Sequence, residues 1–366
     1  MKALAAKPIG RLPPRADMAY LCTRLRARLP DLIAAGDWDE LRALPSLAEL
    51  HHRLLETPYE RRLRARVLDL GSLDELESAL TDVLIERVGD VAELVAHSAP
   101  EYLYLVVGPW DAHHLRSLVR WHVARGDEAA AREAFVAAGT LGPEVYRGAM
   151  AAKSLSELCR DLSPWLPDAT RDLEQCLALQ DKDEPSLRQV ELVLEQSHLR
   201  RLRLCAEAAA TRADADIIRR LAALEIDMAN LRTSLRLLGR HVAREEVARY
   251  YLPGGSISDE QFAAMMSADA IEQIYRRLPN GPLTAAMNKG MLSFADTGRA
   301  SVFERPLDDE RLRLLKTLSR LEPVSVALPL DFLERSRNEW INLKTIARGI
   351  AYRLPPGKVQ ESLVYG

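Results

Sequence analysis

Aromatic residues and an excess of charge of one sign are both lacking in this chain. Phenylalanine, tryptophan and tyrosine together make up only 5% of the 366 residues. That scarcity argues against a large aromatic ligand pocket and against the stacking platforms that bind single-stranded nucleic acid. The 50 basic residues are interspersed with 53 acidic ones, for a net charge of −3. Because phosphate binding needs a clustered basic face, this balance disfavours nucleic acid as the main partner.

Motifs for metals, nucleotides and catalysis are lacking as well. The four cysteines are far apart and form no CxxC pair, which favours buried thiols of a reducing compartment over disulfides or a zinc site. The pairs His51-His52 and His113-His114 are adjacent, whereas zinc-binding pairs prefer an i,i+4 spacing. Gly357-Lys358 lacks the upstream glycine and the following hydroxyl of a phosphate loop. We therefore predict no catalytic residue, no cofactor and no metal.

Long hydrophobic runs are the third absence. The best apolar runs, Leu103–Val107 and Val324–Leu330, fall far short of the roughly 20 residues that cross a bilayer. Residues 1–17 mix lysines, arginines and prolines without a continuous apolar segment, which predicts a mobile leader rather than a signal peptide. The sequence therefore predicts a protein without a membrane span.

One polar-plus-apolar block, here named the follower block, occurs three times. It consists of an acid, then asparagine or histidine three residues later, then leucine, a base, a hydroxyl residue and a final base. The candidate structural residues of its three copies are Asp111, His114, Leu115 and Arg120; Asp227, Asn230, Leu231 and Arg236; and Glu339, Asn342, Leu343 and Arg348. The first residues of successive copies lie 116 (111 to 227) and 112 (227 to 339) positions apart.

A second block, here named the lead block, supports the same period. It opens on Trp38, Tyr146 or Phe262, and leucine or isoleucine follows nine, twelve and sixteen residues later. Lead and follower blocks alternate three times along the chain, which predicts three similar units rather than a single active site. We place a mobile leader at 1–17 and the helical units at 18–128, 129–242 and 243–366.

Helix-forming residues dominate the whole chain, and no alternating strand pattern of useful length occurs. Ser46 and Ser72 each stand three residues before a glutamate, the signature of a capping box. Pro109 predicts that the helix of the first follower block starts there, whereas the second block lies within one long helix over Asp216–Arg240. The predicted fold class is all-α.

On a helix, the residues at +1, +4 and +8 from the acid of the follower block form one apolar stripe. The acid and the +3 residue flank this stripe, where we expect them to fix the register of packed helices. The alternative, that Asp227 or Glu339 is a general base, is weak because three equivalent acids in three units do not converge on one substrate. The basic clusters at 61–66 and 200–203 are typical of solvated helix faces, with an acidic partner surface as the alternative.

Several motifs resemble the C subunit of the bacterial and archaeal V/A-type rotary ATPases, whose eukaryotic counterpart is the d subunit. They occur in the family's order and run from about residue 18 to residue 364. They are Leu224–Thr233, Asn342–Gly349, Leu354–Pro356, Tyr20–Arg26, Leu54–Tyr59 and Leu252–Gly255. The chain departs from the pattern at His114, where the other copies have asparagine, and at Gly108-Pro109, which we expect to shorten the first follower helix.

The resemblance implies a funnel of three similar helical units around a pseudo-threefold axis. It implies a non-catalytic central-stalk rotor subunit that couples the shaft, made by the D and F subunits, to the membrane proteolipid ring. Such a peripheral protein, on the cytoplasmic face of the plasma membrane, would transmit torque for proton or sodium transport and ATP synthesis or hydrolysis. The alternative from the residues alone is a helical-repeat scaffold unrelated to rotary ATPases.

Overall fold

The computed structural model of the chain describes residues 17–34, 36–66, 69–124, 127–178, 186–240 and 242–364. Every regular element within these ranges is an α-helix or a short 3₁₀ helix, so the predicted all-α class is confirmed. The leader predicted over residues 1–17 lies outside the described residues except for Asp17.

After the helix α1 (Met18–Arg26), the described helices follow one order three times. Each series has two short helices, a third of variable length, two long helices and a final short one. The first series is α2 (Asp37–Ala43), α3 (Leu47–Leu54), α4 (Glu60–Arg66), α5 (Leu73–Ser98), α6 (Leu103–Ala124) and α7 (Glu128–Glu133). The second is α8 (Pro143–Met150), α9 (Leu155–Leu162), α10 (Pro167–Ala178), α11 (Leu187–Glu207), α12 (Arg212–Arg236) and α13 (Arg244–Tyr250). The third is α14 (Asp259–Met266), α15 (Ile271–Arg277), α16 (Pro282–Thr297), α17 (Glu304–Leu321), α18 (Ala327–Ala351) and α19 (Pro356–Glu361). Three 3₁₀ helices span Leu29–Asp31, Pro100–Tyr102 and Ala300–Phe303.

The two sequence blocks occupy the same places in each series. The lead aromatic residue lies in the first helix of a series, and the follower block lies in the fifth. Serine side chains cap the second helix in two series: Ser46 accepts from the Glu49 amide and Ser154 from the Glu157 amide, both at 3.2 Å. Such caps satisfy amides that have no partner inside the helix, which is why these helices begin where they do.

The expected helix start at Pro109 is wrong. Helix α6 begins at Leu103 and continues through Pro109, with the loss of one backbone hydrogen bond. Leu105 and Leu115, on either side of the proline, are 4% and 2% exposed, so packing holds both parts of the helix in place. Gly108 does not mark a helix boundary either, because it lies inside α6, where its missing side chain leaves room for the Tyr104 ring. Gly108-Pro109 therefore does not shorten this helix.

The chain divides into two compact units. Unit 1 comprises 1–21 and 88–218, and a hydrophobic core lies among its described residues. In this unit α11 packs along α6 and α10 packs on α11. The core joins Leu115 of the first follower block to Tyr146 of the second lead block, and both side chains are buried.

Unit 2 comprises 22–87 and 219–366, and two hydrophobic cores lie among its described residues. One joins Leu231 of the second follower block to Phe262 of the third lead block. The other joins Leu343 of the third follower block to Trp38 of the first lead block, from near the opposite end of the sequence. In each of these three cores, a follower helix packs against the lead block that comes next, and the third follower packs against the first lead.

Candidate functional site: three polar joints

Each follower helix holds a polar contact with a segment outside the α-helices, and we name these contacts joints 1, 2 and 3. Joint 1 consists of Asp111 and His114 with segment 136–141. Joint 2 consists of Asp227 and Asn230 with segment 252–257. Joint 3 consists of Glu339 and Asn342 with Val364 on one side and the segment Leu29–Ile33 on the other.

The acids of joints 1 and 2 accept hydrogen bonds from neutral donors at matching positions. The Asp111 carboxylate accepts from the Thr140 amide at 2.7 Å and the Thr140 hydroxyl at 2.9 Å. Asp227 accepts from the Ser256 amide at 2.9 Å, the Ser256 hydroxyl at 2.6 Å and the Ile257 amide at 3.0 Å. Thr140 and Ser256 both follow their aspartate by 29 residues, so the two contacts are structurally equivalent.

A glycine precedes the donor residue in both of these joints. A Cβ atom on Gly139 would lie 2.3 Å from Asp111 Oδ1, and one on Gly255 would lie 2.1 Å from Asp227 Oδ1. Any larger residue would push the carboxylate out of hydrogen-bonding distance. Glycine is therefore required here by the close approach of the carboxylate to the backbone.

Joint 3 has a charged donor in addition to neutral ones. Glu339 accepts from the Ile33 amide, the Tyr59 hydroxyl and Arg87 Nη1, each at 2.6 Å. Arg87 also donates to the Asp31 carbonyl at 2.5 Å, and its guanidinium carbon lies 5.1 Å from the centre of the Tyr59 ring. Burial and the neighbouring Glu339 carboxylate raise the pKa of Tyr59 well above its usual value, so the phenol stays protonated and donates.

The residue three positions after the acid binds one backbone residue 22 positions further on in every joint. Asn230 donates to the Leu252 carbonyl at 2.8 Å and accepts from the Leu252 amide at 3.0 Å. Asn342 makes the same pair with Val364, at 2.6 and 3.2 Å. Both asparagines are fully buried. The amide side chain thus supplies hydrogen bonds that a short chain segment cannot obtain from a sheet or helix.

His114 makes only part of this contact in joint 1. Its Nε2 accepts from the Val136 amide at 3.4 Å, and its Nδ1 has no hydrogen-bond partner among the described residues. The ring packs against Phe135 and Tyr146, with centroid distances of 4.9 and 5.8 Å. Burial lowers the pKa of His114 to about 3, so the imidazole is neutral at physiological pH. Aromatic packing replaces the second hydrogen bond of the other joints.

The carboxylate of Asp111 lies in a different electrostatic environment from that of Glu339. Burial raises the pKa of Asp111 to about 6, because the hydrogen bonds from Thr140 and the Leu141 amide offset only part of the desolvation. Glu339 instead forms a buried ion pair with Arg87, whose side chain is 9% exposed. The three joints therefore share a geometry but differ in charge.

Bases of all three follower blocks pair with acids on a neighbouring long helix in the described structure. Arg116 and Arg120 of α6 contact Glu195 and Glu191 of α11, each at 2.5 Å. Arg232 of α12 contacts Glu304 of α17 at 2.8 Å. Lys344 and Arg348 of α18 contact Glu77 of α5 at 3.0 and 2.5 Å. These pairs, most of which keep one partner well exposed to solvent, align two long helices, and the exposed ones each add only modest stability.

The buried face of the follower helix differs from the predicted stripe. The residues at +4 and +8 are buried in all three copies, as expected, but Ala112 and Trp340 at +1 are only half-buried. The acid, the +3 residue and the +7 residue (Leu118, Ser234 or Ile346) are buried instead. The hydroxyls at +6 each donate to the carbonyl four residues earlier, as Thr233 does to Ala229 at 2.9 Å. Because the acid and the +3 residue of each copy point into the protein, the buried face of the follower helix is rotated toward these two residues.

The acids of the three joints are engaged in structural contacts. Each accepts hydrogen bonds from backbone and side-chain donors. No group of three or more histidine, cysteine, aspartate or glutamate side chains suited to a metal ion occurs among the described residues. Chemically, each of the three joints holds a chain segment on its follower helix.

Other residues singled out in the sequence are buried or form ion pairs within the fold. His51 is buried on α3, and burial followed by the neighbouring charges of His52 and Arg64 lowers its pKa. The basic cluster at 61–66 pairs with Glu86, Glu60 and Asp82. In the second cluster, Arg200 pairs with Asp172 and Arg201 with Asp168, both at 2.9 Å. Within the described part of the chain, no helix is long and apolar enough to cross a membrane.

Sequence reasoning missed the residues that distinguish joint 3. Arg87 and Tyr59 belong to neither block, and nothing in the local pattern separates them from solvated arginines or core tyrosines. Arg305 is the third omission: it donates to Asn338 and Asn342 at 2.9 and 2.8 Å. Their only sequence signal is indirect, since the third block has Glu339 where the others have the shorter aspartate.

The known proteins that this chain is similar to are C subunits of ATP synthases. The model of a family described as "ATP synthase (C/AC39) subunit" matches residues 21–362. The C subunit of the V-type ATP synthase of Thermus thermophilus is 28% identical over 351 residues, covering 95% of this chain and 98% of the relative. The C subunit of the A-type ATP synthase of Methanocaldococcus jannaschii is 24% identical over 353 residues, covering 95% and 86%. The C subunit of the V-type ATP synthase of Deinococcus radiodurans is 22% identical over 348 residues, covering 95% and 91%.

Proposed function

Because the chain belongs to the ATP synthase (C/AC39) subunit family, in agreement with the resemblance found in its sequence, we propose that it is the non-catalytic central-stalk subunit of a V/A-type rotary ATPase. In this proposal it couples the shaft, made by the D and F subunits, to the membrane proteolipid ring. It transmits torque between ATP turnover and the transport of protons or sodium ions. As a peripheral protein it would sit on the cytoplasmic face of the plasma membrane.

The observation that best supports this role is the threefold recurrence of one locked arrangement. In each joint a buried acid and a buried asparagine or histidine hold a chain segment on a long helix. The same helix is aligned with a second long helix by ion pairs. Torque transmission requires a body that resists deformation, and a close-packed interior with fixed polar contacts meets that requirement. A division into three units at 18–128, 129–242 and 243–366 around a pseudo-threefold axis is part of the same proposal.

The follower residues would then serve stiffness rather than chemistry. Asp111, Asp227 and Glu339 would hold segments in place, and Arg120, Arg236 and Arg348 would contribute to the charged flank of each helix. A helical-repeat scaffold unrelated to rotary ATPases would use the same contacts, but the match over residues 21–362 favours the rotary complex.

The proposal is tested by reconstituting the rotary complex with and without this chain. Without it, we expect ATP hydrolysis by the catalytic head to persist while ion pumping across the membrane is lost, and we expect the added chain to restore pumping. Purified chain should also bind the D–F shaft and the proteolipid ring in separate pull-down experiments. Binding to neither, or unchanged pumping without the chain, would refute the proposal.

A variant pair tests the mechanical part of the role. Asp227→Ala removes the acid of joint 2 and should lower the number of ions pumped per ATP while leaving binding of shaft and ring intact. Asp296→Ala, at an exposed position of α16, is the matched control and should leave coupling unchanged. Nucleotide turnover by the isolated chain that disappears in Asp227→Ala would instead indicate an enzyme.

A further inference from the structure

The helices α17 and α18 are joined by a charged pair at a position where the other copies of the repeat are apolar. Glu334 stands five residues before the acid of the third follower block, and Arg311 Nη2 donates to its Oε1 at 2.8 Å. At the same position the first and second copies have Val106 and Ala222, which are 3% and 4% exposed. A largely buried ion pair is often no more stabilising than apolar residues in its place, because both charges lose their hydration. This exchange therefore indicates a role other than stability.

Arg311 contacts acids on three long helices. Its Nη1 donates to Glu225 of α12 at 3.1 Å, and its Nη2 lies 3.8 Å from Asp308 on its own helix, α17. The contact with Glu334 of α18 is the third, and the Arg311 side chain is only 17% exposed. Burial opposes the charge of this guanidinium, but the three carboxylates outweigh burial and raise its pKa, so Arg311 stays protonated. One side chain thus connects the second follower helix, α12, to both helices of the last pair.

The contact with α12 depends on a difference between the copies. Two residues before the acid, the first copy has the uncharged Pro109, the second has Glu225 and the third has Arg337. Arg337 contacts Glu334 at 3.3 Å and lies 3.7 Å from Asp308, so it belongs to the same network as Glu225. The second and third copies therefore contribute opposite charges from one repeat position, which makes attraction between them possible.

A second contact gives the direction in which α12 runs along α17. Arg232 of α12 contacts Glu304 of α17 at 2.8 Å, in addition to the contact between Glu225 and Arg311. The later residue of α12 thus meets the earlier residue of α17, so the two helices are antiparallel. Arg311 holds α12 at one end of this stretch, and Glu304 holds it at the other.

The network continues into joint 3. Arg305 precedes Arg311 on α17 and contacts Asp308, the acid that Arg311 also approaches, at 3.3 Å. Arg305 also donates to Asn342 at 2.8 Å and to the Ser362 carbonyl at 3.0 Å. A chain of contacts therefore runs from α12 through α17 to the asparagine of joint 3.

We propose that Arg311 is a positioning residue that fixes α12 against the α17–α18 pair and so links the helix of joint 2 to joint 3. Without Arg311 the apolar core around Phe262 remains, but α12 can shift relative to α17 at the end near Glu225. On the basis of the proposed function, a force on one of these helices is passed to the other without a change in their relative position.

The test measures the distance between spin labels on α12 and α17 in the full chain by pulsed electron paramagnetic resonance. The labels are attached after Arg219→Cys and Thr317→Cys, both at exposed positions. Because the helices are antiparallel, both labels lie on the same side of the contact between Glu225 and Arg311, six residues beyond it on each helix. Cys176→Ser removes the half-exposed thiol, and the other three cysteines are buried.

Glu225→Ala removes the partner on α12 and leaves Arg311 paired with Glu334. We expect the distribution of label distances to become at least twice as wide in this variant. Arg313→Ala is the matched control on α17, because its side chain is 54% exposed and pairs with Asp309 at the surface; it should leave the distribution unchanged. An unchanged distribution in Glu225→Ala, or equal broadening in the control, would overturn the proposal.

The double variant Arg311→Leu with Glu334→Ala tests the role in the reconstituted complex. It replaces the ion pair by apolar residues, as at the equivalent Ala222, and should bind shaft and ring like the unmodified chain. We expect it to lower the number of ions pumped per ATP at least twofold. If the unmodified chain restores pumping and the variant pumps equally well, the role of Arg311 is refuted alone. If the unmodified chain restores no pumping, the proposed function fails, and the label distances still decide the role of Arg311.

Discussion

Replacement of Asn230 by leucine provides the most direct test of the polar joints. Leucine has the branched shape and the same number of heavy side-chain atoms as asparagine, but it has no hydrogen-bonding group. The substitution removes the donor to the Leu252 carbonyl and the acceptor from the Leu252 amide, at a position with 0% exposure. Leu252 is itself only 3% exposed, so water cannot readily replace the lost partner.

The expected magnitude follows from the two backbone groups left behind. An unsatisfied buried donor or acceptor costs about 1–3 kcal/mol. Two such groups give a loss of about 2–6 kcal/mol, and the added apolar burial of the leucine offsets part of it. We expect Asn230→Leu to reduce the free energy of opening of segment 252–257 by about 2–4 kcal/mol.

A local measurement is needed, because a chain with two compact units does not guarantee a two-state transition. Amide hydrogen exchange at 252–257 reports the opening free energy of joint 2 directly. Asn288→Leu, the same chemical change at an exposed position of α16, is the control and should leave exchange at 252–257 unaltered. An opening free energy for Asn230→Leu within about 0.5 kcal/mol of the unmodified protein, the range of neutral surface changes, would refute this account of the joint.

Three further predictions concern pH, backbone approach and charge. The pKa of Asp111 rises from 3.8 to about 6 on folding, so the native state binds this proton more tightly and stability falls as pH rises from about 4 to about 6. Asp111→Asn should abolish this fall. Urea denaturation of the unmodified protein and of the variant at each pH gives the two free energies of unfolding, and their difference should change between about pH 4 and pH 6. A difference that stays the same over this range would contradict the prediction. Gly255→Ala should destabilise joint 2 by displacing the Asp227 carboxylate, whereas Gly148→Ala, with open space around it, should stabilise α8 slightly; thermal unfolding of both variants checks this. Arg87→Met should cost several kcal/mol in denaturant unfolding because it leaves Glu339 buried without its charged partner, and a loss below about 1 kcal/mol would show that the pair is dispensable.

The helical class and the recurrence of the blocks could be read from the sequence because both are local properties. Leu47, Leu50 and Leu54 follow a helical period after a serine cap, and the structure has a helix over Leu47–Leu54 with that cap. The predicted helix start at Pro109 was wrong because it rested on a local preference alone. Burial of the helix on both sides of the proline outweighs that preference.

The amino-acid sequence alone determined the all-α class, the positions of the lead and follower blocks, the spacing at which they repeat, and the family. These depend on which residue types follow one another at helical spacing, information that a linear chain carries. Only the tertiary structure decided that Glu339 binds Ile33, Tyr59 and Arg87, and that the third follower packs against the first lead block. Contacts between residues so far apart in the chain depend on the summed packing of many helices, and no local pattern around either residue encodes them.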